Sequence, residues 1–204
     1  MSIFLIRHGE TLGNASRTVQ LPDNPLSARG ALQAARLARR LEHERIVLIL
    51  SSDYSRAVAT ADHLRRVTRA PVRYSPLLQE RNFGDLRGTP YAELGFDMFE
   101  AGYAPPNGET WEAFHDRVDR AWAFVQAAAA TAAGHVAVVT HGLVCRSLAD
   151  RHLVLAEGEP PPAAWHNTSL TIIDHPPPWR VRLLNCAAHL DDVETRPRPE
   201  SGAV

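Results

Sequence analysis

Three short apolar runs in the chain each stop at a cluster of polar residues. Ile3 to Ile6 meet Arg7-His8-Gly9, Ile46 to Leu50 meet Ser51-Ser52-Asp53, and Val136 to Val139 meet Thr140-His141-Gly142. Continuous apolar runs of this length, bounded by polar and turn-forming residues, predict strands buried on both faces, as in a mainly parallel sheet. The stretches between them carry helical spacing. Ser27 is placed to cap a helix with Ala31, Ala34, Ala35, Ala38 and Leu41 on one face. Ser52 or Asp53 is placed to cap a second, with Ala57, Ala61, Leu64 and Thr68 along one side. Trp111, Phe114, Val118, Trp122 and Val125 make a third stripe. Near the carboxyl end, Ser169 to Ile173 and Arg180 to Leu184 read as strands joined by the turn-like Asp174-His175-Pro176-Pro177-Pro178, which predicts an antiparallel edge. The expectation is an α/β fold: one three-layer α/β/α domain over residues 1–190, with a mainly parallel central sheet. Residues 191–204, polar and proline-rich, read as a surface-draped or mobile tail.

In an open α/β sheet ligands bind beyond the carboxyl ends of the strands, where the polar clusters fall. The first run then delivers Arg7, His8 and Asn14, the second Arg56, and the third His141, all toward one cleft. Two guanidiniums and two imidazoles around a small volume suit a phosphoryl group, because arginine presents a planar fork to anionic oxygens. All 22 basic residues are arginines and the formal net charge is -1. The absence of lysine excludes Schiff-base chemistry and a lysine-bearing phosphate loop. The near-zero charge gives no global field for nucleic acid or an anionic membrane, so positive potential must be local.

Several segments, in order, resemble the histidine phosphatase (phosphoglycerate mutase-like) superfamily. They are Leu5-Ile6-Arg7-His8-Gly9-Glu10-Thr11, then Asn14, then Asp23 to Ser27 with Gly30, then Ser51 to Ala57 with Thr60-Ala61. Glu80-Arg81-Asn82-Phe83-Gly84-Asp85-Leu86-Arg87-Gly88, Pro106 to Thr110, Thr140-His141-Gly142 and Asn185 to Leu190 follow. The resemblance implies a catalytic domain in which His8 attacks phosphorus and is transiently phosphorylated. It implies that Arg7, Arg56 and His141 hold the phosphoryl oxygens, that Asn14 is a further phosphate ligand, and that Glu80 is the proton donor. No cofactor or metal is expected, and Arg7 and Arg56 would repel a cation from the same pocket. Members of this superfamily that act as mutases carry a longer, basic insertion where Gly88 to Pro105 is short and free of lysine and arginine. A phosphatase acting on a small phosphomonoester is therefore favoured over a cofactor-dependent phosphoglycerate-type mutase. A phosphoprotein-binding or phosphohistidine-signalling module is a third reading, with Phe99 to Tyr103 as a protein-facing rim.

Other residues draw plainer expectations. Glu10, Asp85 and Glu109 are alternative acids, with Glu10 read as ordering its loop and Glu109 as serving a helix amino-terminus. His115, His152, His166 and His175 read as structural or solvated, His189 as a packing or hydrogen-bonding residue, and Trp111 and Trp122 as core. Cys145 and Cys186 lack the spacing of a zinc or redox pair and read as reduced thiols. Met1 runs into an apolar stretch that meets Arg7 with no basic leader, and no run reaches the ~18 apolar residues of a membrane span, so a cytoplasmic location is expected. A homodimer is left open, since related proteins often form one.

Overall fold

A computed structural model of the protein describes residues 1–158 and 160–191. The predicted tail, beyond Asp191, lies outside the described residues. In chain order the elements are β1 (Ser2–Arg7), α1 (Leu12–Ser16), α2 (Ala28–Arg40), β2 (Ile46–Ser51), α3 (Ser55–Thr68) and β3 (Val72–Tyr74). They continue with α4 (Trp111–Thr131), β4 (His135–Thr140), α5 (Gly142–His152), β5 (Leu170–Asp174) and β6 (Val181–Cys186).

The strands form one sheet in the order β3-β2-β4-β1-β5-β6. Neighbours from β3 to β1 run parallel, while β5 is antiparallel to β1 and β6 to β5. Side chains alternate across a strand with a period of two, and both faces here are filled. Ile3, Leu5, Leu50, Val136 and Val138 pack into one core with Phe114, Val118 and Val125 of α4 and Val144 and Leu148 of α5. Phe4, Ile6, Ile49, Ala137 and Val139 pack into the other with Leu37 of α2 and Ala57, Ala61 and Leu64 of α3. This double burial explains why β1, β2 and β4 are unbroken apolar runs, and it makes the three layers expected from the sequence. Among the described residues no helix is long and apolar enough to cross a membrane.

The structure departs from the sequence expectations at several elements. The buried face of α2 is Gly30, Gln33, Ala34, Leu37 and Ala38, while Ala35 is exposed. Alanines mark a face weakly because they occur on both sides of a helix, and Leu37 was the better guide. Neither Ser52 nor Asp53 caps α3; its N-cap is Tyr54, without a side-chain bond. Ser52 is engaged elsewhere, as described below. The edge strand β3 was not anticipated: it has three residues, two of them exposed, and leaves no apolar run to read.

Candidate active site

His8 follows β1 and is held on both sides by the neighbouring chain. Its N–H donates to the Thr140 carbonyl (2.9 Å), and its carbonyl accepts from Thr168 N (3.2 Å) and Asn167 Nδ2 (3.1 Å). The ring is fixed as well. Nδ1 lies 2.7 Å from the Gly9 carbonyl and can only donate there, so the lone pair of a neutral ring sits on Nε2, which accepts from Arg56 Nε at 3.2 Å. Desolvation, then the charges of Arg56 and Arg7, hold the imidazole well below its ordinary pKa. A neutral histidine with its lone pair on Nε2 is the form that attacks an electrophile once that lone pair is released.

The tight turn after His8 is enforced by glycine. Gly9 and Gly30 approach so closely that a Cβ on Gly30 would lie 1.9 Å from the Glu10 carbonyl oxygen, and one on Gly9 2.6 Å from the Gly30 oxygen. Ser27 completes the junction: its Oγ donates to Glu10 Oε1 (2.9 Å) and accepts from Gly30 N (3.0 Å) at the start of α2. Glu10 thus orders the loop, as the sequence suggested.

Arg7 and Arg56 are both buried. Arg7 Nη1 donates to the Trp165 carbonyl, and its Nε has no hydrogen-bond partner among the described residues. Arg56 enters from the first turn of α3, and its Nη1 donates to the Leu21 carbonyl (2.9 Å). Burial pushes the Arg56 guanidinium down to about 10, opposed chiefly by Glu80, so it remains charged at neutral pH. His141 occupies the N-cap of α5, its ring edge-on to His8 with 5.0 Å between centroids. Its Nε2 pairs with Ser52 Oγ at 2.8 Å, and Nδ1 is buried without a partner among the described residues. Desolvation, reinforced by Arg56 and then His8, keeps this imidazole well below its usual value. The Ser52 hydroxyl therefore orients His141 instead of capping α3.

Arg7, His8, Asn14, Arg56 and Glu80 line one narrow cleft, with Gln20, Tyr54, Arg87 and Tyr91 also on its wall. Asn14 is part of a capping box on α1, its Oδ1 accepting from Thr11 N (3.2 Å). His141 lies behind this wall. Desolvation raises the Glu80 carboxyl above the usual carboxylate range, against two backbone donors and the charges of Arg56 and Arg7. The donors are Arg81 N on Oε1 (3.0 Å) and Leu143 N on Oε2 (3.2 Å). The other carboxylates are committed. Glu109 pairs with Arg117 at 2.7 Å and accepts from Asn82 N at 2.8 Å, and Arg117 holds it below the usual range despite desolvation. It does not serve a helix amino-terminus, since Thr110 caps α4. Asp85 is exposed and accepts from Asn107 Nδ2 at 2.9 Å.

Several positioning groups left no local signal in the sequence. Arg117, inside a helix far from Glu80 in the chain, donates to the carbonyls of Leu77, Gln79 and Glu80 and so fixes the segment bearing that carboxyl. Asn167 ties the His8 carbonyl to Asn14 Oδ1 (3.3 Å). Away from the cleft, His189 bridges Arg40 Nη1 (3.2 Å) and Thr168 Oγ1 (3.1 Å), a hydrogen-bonding role as expected.

Comparison with known proteins gives the family of the chain as a whole. The histidine phosphatase superfamily (branch 1) matches residues 3–187. The chain belongs to this superfamily. It is 30% identical over 216 aligned positions to the probable phosphoglycerate mutase GpmB of Yersinia enterocolitica, a match covering 100% of this chain and 90% of that protein. It is 37% identical over 122 residues to the fructose-2,6-bisphosphatase TIGAR of Xenopus laevis, covering 54% of this chain. The match spans only 44% of that longer relative. Among solved structures, Bacillus stearothermophilus YhfR superposes with a TM-score of 0.81 at 29% identity, over 93% of this chain and 99% of that one. A mycobacterial glucosyl-3-phosphoglycerate phosphatase in complex with VO3 superposes with a TM-score of 0.77 at 27% identity, over 90% and 98%. This superfamily member thus resembles proteins named as phosphatases and proteins named as mutases.

Proposed function

We propose that this superfamily member is a phosphatase that hydrolyses a small phosphomonoester through a phosphohistidine on His8. The observation that carries the reading is the His8 ring, whose Nδ1 is tied to the Gly9 carbonyl so that the Nε2 lone pair faces Arg56 in the cleft. In the first step Nε2 forms the N–P bond as the P–O ester bond breaks in line. Arg7 and Arg56 stabilise charge on the equatorial oxygens, with Asn14 as a further ligand, and His141, buried behind the cleft wall, joins them only when its Nε2 turns from Ser52 toward the phosphoryl group. Glu80 gives its proton to the leaving oxygen, and the raised pKa of its carboxyl supports that role. In the second step the Glu80 carboxylate takes a proton from water, whose oxygen bonds to phosphorus as N–P breaks. Inorganic phosphate leaves, and both groups are restored. The positive charge comes from guanidiniums, and no step is routed through a metal.

His8→Ala is expected to abolish turnover. Single-turnover labelling with a phosphorylated substrate gives an acid-labile, base-stable phosphoenzyme in the unsubstituted protein and none in the variant. Equal labelling of the variant removes His8 from the nucleophile role.

A mutase is the second reading, favoured by the relative named as a probable phosphoglycerate mutase over 90% of its length. Residues 89–104 oppose it, because they hold Glu93, Asp97 and Glu100 but no lysine or arginine to grip a second acidic group. Free phosphate should exceed isomerised phosphoglycerate in the presence of a bisphosphorylated primer. Efficient isomerisation with little release would reverse the ranking.

A further inference from the structure

Outside the catalytic cleft, a half-open cavity of about 580 Å³ lies between α4, α5 and the loop at residues 97–102. Its size falls within the range of small-molecule sites, roughly 300–1,000 Å³. Phe99, Trp111 and Phe114 give it aromatic walls, and Trp111 and Phe114 meet edge to face at 5.9 Å. Ser147 also lines it. This residue is 5% exposed, and its hydroxyl, covered in this rotamer, has no hydrogen-bond partner among the described residues, so a turn about χ1 is what would present it to an occupant. At the rim Arg146 faces Asp150 at 3.8 Å and Asp97 adds a second carboxylate, so the mouth offers no net positive charge to an anion.

We infer that this cavity is a regulatory site for a small, neutral, planar aromatic molecule carrying one hydroxyl or amide-like edge that pairs with Ser147. Two walls of the cavity reach the Glu80 carboxyl. Leu143 lines it and donates its N–H to Glu80 Oε2 at 3.2 Å. Trp111 lines it and carries the Arg81 guanidinium on its ring at 3.9 Å, while Arg81 N donates to Glu80 Oε1 at 3.0 Å. An occupant that shifts Trp111 therefore disturbs one donor on that carboxyl, and one that shifts the first turn of α5 disturbs the other. The coupling rests on the proposed role of Glu80; the binding does not.

The probe is 2-naphthol, neutral at pH 7, with binding followed by titration calorimetry on the full chain. Saturable binding at one site is expected. Ser147→Ala should weaken it about five-fold, the size of one lost hydrogen bond. Ala101→Trp, at an exposed rim position, should abolish it by filling the mouth without disturbing the core. In the kinetic arm, saturating 2-naphthol should change single-turnover phosphorylation by an alkyl phosphate at least about three-fold more than by an activated aryl phosphate, which needs little proton donation. Absence of binding, or binding indifferent to both substitutions, overturns the site whatever the enzyme's activity. Binding that leaves both substrates unaffected overturns the regulation. A dimer that dissociates on Ala101→Trp overturns the small-molecule occupant in favour of a second copy of the chain. A protein that binds the probe but never labels at His8 shows instead that the phosphatase reading has failed.

Discussion

At His8, reactivity is set by what each ring nitrogen faces. Nδ1 donates its proton's hydrogen bond to the Gly9 carbonyl, and burial, reinforced by the guanidiniums of Arg56 and Arg7, disfavours a second proton. Glu80 meets the opposite demand, since a carboxyl must stay protonated to serve a poor leaving group. Glu80→Gln keeps the shape and removes the proton. It should slow phosphohistidine formation from an alkyl phosphate ~100-fold or more while sparing an activated aryl phosphate. Rapid-quench measurement of the first step reads this directly; equal slowing of both substrates would assign Glu80 to positioning alone. His8 was legible as a candidate because it follows an apolar strand, and Glu80 only through the Glu80 to Gly88 motif of the family resemblance. Arg117 and Asn167 were not. Their contacts join residues widely separated in the chain, and an arginine on an amphipathic helix looks like any solvated one until the fold sets it beside three carbonyls.

Among the elements, strands buried on both faces were readable, whereas capping and edge features yielded to tertiary contacts. Ser52 had the chemistry of an N-cap, but its hydroxyl is committed to His141 Nε2 at 2.8 Å. The entry to α2 shows the converse, with Ser27 acting as the cap its position predicted and also gripping Glu10. The packing of α2 against the loop after β1 depends on Gly30. Gly30→Ala sets a methyl group 1.9 Å from the Glu10 oxygen, a clash with backbone that no rotamer relieves. The substitution should cost about 1–3 kcal/mol in urea unfolding and lower phosphorylation of His8, because it displaces the turn that holds the ring. A variant with unchanged midpoint and rate would show that the junction has slack.

Among the described residues, five imidazoles are lowered by desolvation and nearby arginines: His8, His63, His115, His141 and His189, the last to about 4 through desolvation and then Arg40. In the unfolded chain each takes a proton near its ordinary value of about 6.5. Below that pH the unfolded state binds more protons, so stability falls as the solution is acidified. Glu80, shifted upward, works in the opposite sense but is one group against five. The urea midpoint should drop between about pH 7.5 and 5.5, and more gently in His189→Gln. A flat profile in the unsubstituted protein would contradict this balance. The sheet order has a separate consequence for how the protein is made. The strand that carries His8 is the first synthesised, yet its partners on either side are β4 and β5. On the ribosome, β1 must wait unpaired through more than a hundred residues of translation. The proposed nucleophile therefore cannot be set in place until residue 174 has left the exit tunnel, so a nascent chain stalled before that point should be inert and reliant on chaperones.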